Sequence, residues 1–167
     1  MATRKVKLIL LMMILVFGAY SILSNRSNYV STPLMGSKST LRAKIIETAS
    51  QMLDMPYKSG GKNQAGFDCS GFVYYVMKKH EIKMAANSQG QSKQGKEIML
   101  NKSKPGDLLF FKRSLSGPVF HVSIVKENKN NQVMMIHSST TKGIISENIS
   151  ESKYWMPKLY KVTNVID

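Results

Sequence analysis

Hydrophobic residues recur at helical spacing in the first part of the chain's globular region. Apolar residues three or four positions apart predict a helix that begins near Ser39 or Thr40 and ends before Pro56. A second apolar stripe follows Cys69 directly, which predicts a second helix there. Ser88 is expected to cap a short third helix. The pattern therefore predicts three helices before any strand-like run begins.

Beyond residue 104 the pattern changes to short apolar runs separated by turn residues, which is typical of β-strands. The asparagine-rich segment Asn128–Asn131 joins two of these runs and predicts a hairpin. Helices followed by an antiparallel meander indicate an α+β domain, with N-terminal helices packed on an antiparallel β-sheet. The predicted strands are Leu108–Phe111, Phe120–Val125, Gln132–His137, Ile144–Ile145 and Leu159–Val162.

The first 26 residues have the character of an export segment. Three basic residues precede residues 8–23, a charge-free and mostly apolar stretch of sixteen residues. A membrane-spanning helix needs about 20 residues, so a cleaved signal peptide and an uncleaved membrane anchor both stay open. Either one would carry the rest of the chain to the cell envelope, in the periplasm or at the cell surface. We therefore divide the chain into a signal or anchor (1–26), a polar linker (27–38) and a globular domain (39–167).

The chain carries a formal net charge of +14, from 24 basic and 10 acidic residues. Such a charge favours anionic surroundings, among them nucleic acid, acidic lipid headgroups and anionic cell-wall polymers. The basic residues are scattered, with no run of five or more, and export also argues against nucleic acid as a partner. The charge therefore suits an anionic cell envelope better.

Cys69 is the only cysteine of the chain, so no internal disulfide can form. Asp68 is a natural N-cap, which would put Cys69 in the first turn of the second helix. Unpaired backbone N–H groups and the positive end of the helix dipole would favour the thiolate there, as a nucleophile requires. The alternative is that Cys69 is a small hydrophobic residue of the core, and its location alone does not decide between the two.

A cysteine nucleophile needs an imidazole base and a third group that orients the base. His121 and His137 lie on the two strands of the predicted hairpin, where one ring can contact the other. A zinc site is the rival use, but one cysteine and two histidines are one protein ligand short of a structural zinc site. No CxxC or HxxxH spacing supports such a site, so neither a metal nor another cofactor is expected.

Several short motifs surround these residues in a fixed order. They are Pro56-Tyr57 with Gly60-Gly61, Phe67-Asp68-Cys69-Ser70-Gly71-Phe72, Ser88 and Gln91 with Gly95, Lys104-Pro105-Gly106-Asp107-Leu108-Leu109-Phe110-Phe111, His121-Val122, Ile136-His137 and Tyr154-Trp155. In this order they resemble the NlpC-type papain-like cysteine peptidases of bacterial cell walls. The resemblance covers residues 40–162 and implies a papain-like, NlpC-type α+β fold.

The resemblance implies roles for seven side chains. Cys69 would be the nucleophile, His121 the general base that holds Cys69 as an ion pair, and His137 the residue that orients His121. A backbone N–H near Cys69 would help to stabilise the oxyanion. Contacts to the substrate or the oxyanion are expected from Tyr57, Asp68, Ser70 and Ser88.

The resemblance also implies a reaction. The domain would be an exported thiol hydrolase that cleaves peptidoglycan stem peptides between γ-D-glutamate and a diamino acid, by way of an acyl-enzyme. Two alternatives stay open: a binding or assembly module of the envelope without hydrolysis, and an amidase or acyltransferase on the same fold. Ala86-Asn87 stands where family members often have an arginine and a threonine, in a region of expected substrate contacts, and Ser123 replaces a common glycine.

Overall fold

The computed structural model describes residues 35–130 and 132–167. The predicted export segment (1–26) and residues 27–34 of the predicted linker lie outside these described residues. Within the described ranges, no helix is both long and apolar enough to cross a membrane. The described residues thus comprise the predicted domain and the end of the predicted linker.

Helix α1 spans Met35–Ser50 and begins before the predicted start at Ser39 or Thr40. Residues 38–40 are exposed, so their polar composition, which suggested a linker, does not oppose a helical turn. The helix ends at Ser50, before Pro56 as predicted. The first helix therefore begins within the predicted linker, and the division between linker and domain at residue 39 stays a prediction.

Helices α2 (Cys69–Lys79) and α3 (Ser88–Gln91) both begin with a side-chain cap. Asp68 caps α2, as predicted, and accepts a hydrogen bond from the N–H of Gly71 over 2.6 Å. The prediction that Ser88 caps α3 is wrong. Asn87 is the cap, because its backbone is extended and its side-chain oxygen accepts from the N–H of Gly90 over 2.8 Å, while Ser88 is the first helical residue.

All the predicted strands are present, together with three that were not predicted. A short hairpin precedes helix α2 and consists of β1 (Lys62–Asn63) and β2 (Gly66–Phe67). A six-stranded antiparallel sheet follows the helix and consists of β3 (Lys96–Ile98), β4 (Leu108–Lys112), β5 (Val119–Lys129), β6 (Gln132–Ser139), β7 (Gly143–Asn148) and β8 (Leu159–Asn164). Its spatial order is β3-β8-β4-β5-β6-β7.

Alternate residues of the strands contribute to two separate hydrophobic clusters. Leu108 and Phe110 of β4 belong to the cluster that includes the buried faces of α1 and α2. Leu109 and Phe111 belong to the other cluster, against which Trp155 also packs. The helices are thereby fixed on the sheet, and the position of the first residue of α2 is set by this packing.

Arg42 ties helix α1 to the turn before β4 and to the C-terminal segment. Its guanidinium donates to Asp107 Oδ1 over 2.9 Å and to the carbonyl of Pro105 over 2.7 Å. It also donates to Asn164 over 3.0 Å and to Asp167 over 3.1 Å. Asp107 is almost fully buried, with 1% of its side chain exposed, so this ion pair is a structural contact of the core.

Candidate active site

Cys69 is the first residue of helix α2 and follows a glycine-rich loop. The N–H of Asp68 donates to the carbonyl of Gly61 across this loop, over 3.1 Å. Gly71 packs on the same carbonyl, and a Cβ atom at Gly71 would lie 1.9 Å from the Gly61 oxygen. Because no side chain fits in that space, the two glycines hold the loop against the helical turn that carries Cys69.

Burial raises the pKa of the Cys69 thiol above its ordinary value. A backbone hydrogen bond from Val122 opposes this rise, whereas the negative charge of Asp68 adds to it. Backbone hydrogen bonds of Ser70 and Cys69 at the helix N-terminus lower the pKa, as predicted, but desolvation outweighs them. The contact with Val122 also shows that Cys69 lies beside the segment of β5 that carries His121.

His121 and His137 lie on adjacent strands and contact each other, as predicted. His121 Nε2 is 2.8 Å from His137 Nδ1. Burial, with a smaller contribution from the neighbouring His137, lowers the pKa of His121 to about 3. Burial also lowers the pKa of His137, against an opposing effect of Glu147. Burial therefore disfavours the cationic form of both rings, which opposes the expected ion pair between Cys69 and His121.

Glu147 continues this line of side chains on the far side of His137. Its Oε1 lies 2.8 Å from His137 Nε2. In the register of β6 and β7, Met135 faces Glu147 and His137 faces Ile145, so His137 and Glu147 are diagonal neighbours. Diagonal neighbours come within reach when the side chains are long. Sequence reasoning missed Glu147, because the sequence pattern does not show in which register β7 pairs with β6.

Trp155 covers the histidine pair from a third direction. Its ring stacks on His121 with centroids 4.5 Å apart and lies edge-on to His137 at 5.3 Å. Its Nε1–H donates to Glu147 Oε1, the oxygen that also faces His137. Trp155 thus contacts both rings and the carboxylate. The Tyr154-Trp155 motif had indicated only the family resemblance and no function for this side chain.

Cys69 and His121 both line a cleft of about 430 Å³. Of the other predicted site residues, Tyr57 also lines the cleft, while His137 is buried behind His121. Sequence reasoning missed the cation Arg113, which lies over the ring of Phe120 at 4.8 Å. The full lining consists of Tyr57, Cys69, Arg113, Phe120, His121, Ser138, Ser139, Thr140, Tyr154 and Trp155.

Asp68, Ser70 and Ser88 are not among the cleft-lining residues. The hydroxyl of Ser70 donates to Asp68 Oδ1 over 2.9 Å. The hydroxyl of Ser88 donates to the carbonyl of Val119 over 3.1 Å. Their contacts with the protein are structural ones, and the predicted contacts with substrate stay predictions.

The two departures from the family pattern have local structural consequences. Asn87 caps helix α3, as described above. Ser123 is completely buried on β5, and its hydroxyl has no hydrogen-bond partner among the described residues. Gln91 of α3 donates to the carbonyl of Ser70 over 3.0 Å and to that of Ala85 over 2.9 Å, so this helix buttresses the first turn of α2.

The third histidine of the chain lies away from the site. His80 Nε2 is 2.8 Å from the hydroxyl of Thr48, at the C-terminus of α2. Burial and the nearby Lys44 lower the pKa of His80, which disfavours the cationic form of its ring. In the described part of the chain, no three His, Cys, Asp or Glu side chains are arranged to hold a metal ion.

A cysteine at a helix N-terminus and two hydrogen-bonded histidines on an antiparallel sheet form the arrangement of a papain-like cysteine hydrolase. The sequence profile of the NlpC/P60 family matches residues 54–164. The chain belongs to the NlpC/P60 family, whose members include proteins named as endopeptidases. This match confirms the predicted family, the predicted class of cysteine-type peptidase and the α+β fold.

Three relatives illustrate the similarity. The chain is 34% identical over 115 residues to the gamma-DL-glutamyl hydrolase of Bacillus subtilis (strain 168), covering 66% of this chain and 27% of that protein. It is 37% identical over 95 residues to the gamma-D-glutamyl-L-lysine dipeptidyl-peptidase of the same strain, covering 56% and 32%. It is 32% identical over 111 residues to the probable endopeptidase NlpC of Escherichia coli (strain K12), covering 66% and 69%. The chain therefore spans less than a third of either Bacillus relative.

Solved structures of the same family have the same fold. An NlpC/P60 family protein from Bacillus cereus ATCC 10987 aligns with a TM-score of 0.70 and 26% identity, covering 75% of this chain and 40% of that one. The NlpC/P60 domain of the peptidoglycan hydrolase SagA aligns with a TM-score of 0.61 and 26% identity, covering 74% of this chain and 97% of that one.

Proposed function

We propose that this chain is an exported thiol hydrolase of peptidoglycan stem peptides. Cys69 is its nucleophile, His121 its general base, and His137 the residue that orients His121. One observation carries the proposal: Cys69 and His121 line the same cleft, and the Nε2 of His121 is occupied by His137 at 2.8 Å. The Nδ1 of His121 is therefore the nitrogen left to accept the proton of the thiol.

The reaction begins from a neutral pair. His121 Nδ1 takes the proton of Cys69 Sγ as the sulfur bonds to the carbonyl carbon of the scissile amide. The imidazolium then gives this proton to the amide nitrogen, the C–N bond breaks and the amine leaves. Water, losing its proton to His121, attacks the thioester, and cleavage of the S–C bond releases the carboxylic acid and the free thiol.

The negative charge on the carbonyl oxygen needs donors during both steps. Tyr57 is half-buried and lines the cleft beside Cys69, so its hydroxyl is available to donate to this oxygen. A backbone N–H at the start of α2 supplies a second donor, since the first N–H groups of a helix have no partner within it. Tyr57 is accordingly assigned to the oxyanion site.

The substrate is assigned from chemistry and from the relatives' names. Two relatives are named for γ-glutamyl hydrolysis. A glutamyl residue linked through its γ-carboxyl keeps its α-carboxylate free, one short side chain away from the scissile bond. Among the residues that the structure describes, Arg113 is the one cationic residue that lines the cleft, and an arginine suits recognition of a carboxylate. The proposed bond therefore joins γ-D-glutamate to a diamino acid.

The proposed location is the cell envelope. The apolar residues 8–23 with their preceding basic residues support export, and a net charge of +14 suits an anionic wall. Relatives named as peptidoglycan endopeptidases are consistent with this location.

Digestion of purified muropeptides tests the proposal. The full chain and the C69A variant are incubated with muropeptides, and the products are identified by mass. We expect cleavage at the γ-D-glutamyl bond with the unaltered chain and no product with C69A. Equal product from both proteins would overturn the catalytic role of Cys69. Cleavage that depends on Cys69 but occurs at another amide would overturn the assigned bond and keep the assigned nucleophile.

A further inference from the structure

The proposed triad gives no role to Glu147, although this residue is in contact with it. Glu147 Oε1 is 2.8 Å from His137 Nε2, and His137 Nδ1 is 2.8 Å from His121 Nε2. The side chain of Glu147 is 35% exposed, whereas that of His137 is 1% exposed. A line of polar contacts, each 2.8 Å long, therefore runs from a partly solvated carboxylate to the ring that faces the cleft.

Hydrogen-bond polarity along this line follows from the carboxylate. An ionised carboxylate oxygen only accepts hydrogen bonds, and at 2.8 Å it would repel the lone pair of an unprotonated His137 Nε2, so the proton of His137 is favoured on Nε2. A neutral ring has one proton, so His137 Nδ1 is then an acceptor. His121 Nε2 must donate to that acceptor, which leaves His121 Nδ1 without a proton. One carboxylate thus fixes the tautomers of two rings in sequence.

Trp155 is a second donor to the carboxylate oxygen of Glu147 that faces His137. Its Nε1–H donates to Glu147 Oε1, the same oxygen that faces His137. The indole has no acceptor atom, so this oxygen has to be an acceptor for both neighbours. The ring of Trp155 also stacks on His121, which keeps water from the face it covers.

We propose that Glu147 is a positioning residue that, through His137, holds His121 with its Nδ1 free of a proton and able to deprotonate Cys69. The inference deepens the proposed function, on which its catalytic meaning rests. Without Glu147, His137 could carry its proton on Nδ1 instead. His121 would then accept at Nε2 and carry its own proton on Nδ1, where it could no longer act as the base.

Nitrogen NMR of the histidine rings measures the tautomers directly. The chain has three histidines, so ¹⁵N-histidine labelling of the full chain gives few signals, and His80 is an internal reference. In the unaltered chain we expect both His121 and His137 to be protonated on Nε2. In E147A we expect both rings to change together towards the Nδ1-protonated form, with His80 unchanged.

Two further variants distinguish the effect of Glu147 on the ring tautomers from the effects of lost negative charge and of misfolding. In E147Q the amide oxygen stays turned towards the N–H of Trp155, so the tautomers should be retained although the negative charge is lost. E127Q makes the same change of charge at an exposed position of β5 and should leave all the rings unchanged. On the proposed substrate, E147A should lower kcat between about 10²- and 10⁴-fold with little change in KM, and E147Q should lower it less.

The outcomes are distinct from those of the proposed function. Protonation of His137 on Nδ1 in the unaltered chain would overturn the positioning role, even if E147A failed to fold. Unchanged tautomers in folded E147A would overturn it as well. If the tautomers respond as expected while no muropeptide is cleaved, the positioning of the rings stands and the proposed hydrolase function fails.

Discussion

Replacing Asp68 by alanine removes the side chain that caps the helix carrying Cys69. Asp68 Oδ1 accepts two hydrogen bonds, from the N–H of Gly71 over 2.6 Å and from the hydroxyl of Ser70 over 2.9 Å. Loss of an N-cap costs about 1 kcal/mol. Ser70 is 7% exposed, so its hydroxyl loses its acceptor in a largely buried place, at a further cost of about 1 kcal/mol.

The expected loss for D68A is therefore about 2 kcal/mol in the free energy of unfolding. For a chain of this size it corresponds to a fall in Tm of roughly 4–8 °C. Chemical denaturation followed by circular dichroism measures the free energy, and calorimetry measures the Tm. D68N is the matched control, because asparagine caps a helix as well as aspartate does and should cost less than about 0.5 kcal/mol.

The same pair of variants tests the electrostatic effect of Asp68 on the thiol of Cys69. The charge of Asp68 contributes to the raised pKa of Cys69, behind burial. Removing the charge lowers that pKa, so a larger fraction of the thiol is ionised at a given pH below it. Cys69 in D68N should therefore be alkylated by iodoacetamide faster than in the unaltered chain.

Two results would refute this reasoning. Equal destabilisation by D68A and D68N would mean that the cap is not what stabilises the start of α2. Slower alkylation of Cys69 in D68N, with stability retained, would mean that the charge of Asp68 does not raise the pKa of the thiol.

Three further predictions concern stability. The pKa of the buried His121 is about 3 in the folded chain against an ordinary 6.5, so the unfolded chain binds more protons than the folded chain between these pH values. The free energy of unfolding should therefore fall by up to about 1.4 kcal/mol per pH unit as the pH drops from 6.5 towards 3, and H121Q should flatten this dependence in acid denaturation. Replacing Arg42 by alanine leaves the buried carboxylate of Asp107 without its cationic partner and should lower the free energy of unfolding by about 3–5 kcal/mol. K38A loses only an exposed 3.7 Å contact with Asp167 and should cost less than about 1 kcal/mol, so similar losses for the two variants in urea denaturation would contradict the role given to burial. S123A removes a buried hydroxyl without a partner among the described residues and should stabilise the domain by about 1 kcal/mol, and a lower Tm would contradict this.

Local sequence signals predicted the helix that begins at Cys69 and most of the fold. The Asp68 cap and the apolar stripe behind Cys69 predicted helix α2, and the runs around His121 and His137 predicted their strands. Both depend on short-range physics, namely helix capping and the burial of apolar faces. The cap of α3 could not be decided in this way, because Asn87 and Ser88 are adjacent and both are good caps.

Those local signals do not determine which strands pair with each other or in which register. Strand β3 has no apolar alternation and pairs with β8, far along the chain, so nothing local marked it as a strand. Glu147 contacts His137 only because β7 pairs with β6 in one particular register. The direction of the Cys69 pKa was also missed, since it depends on how deeply packing buries the sulfur.

The rate of muropeptide cleavage by the unaltered chain, C69S and C69A tests the central claim most directly. If Cys69 is the nucleophile, C69A should be inactive, and C69S should be slower on the order of 10³-fold or more, because a hydroxyl is the weaker nucleophile. Circular dichroism of the three proteins establishes that the variants are folded. Folded C69A that cleaves muropeptides as fast as the unaltered chain would contradict the assignment of Cys69.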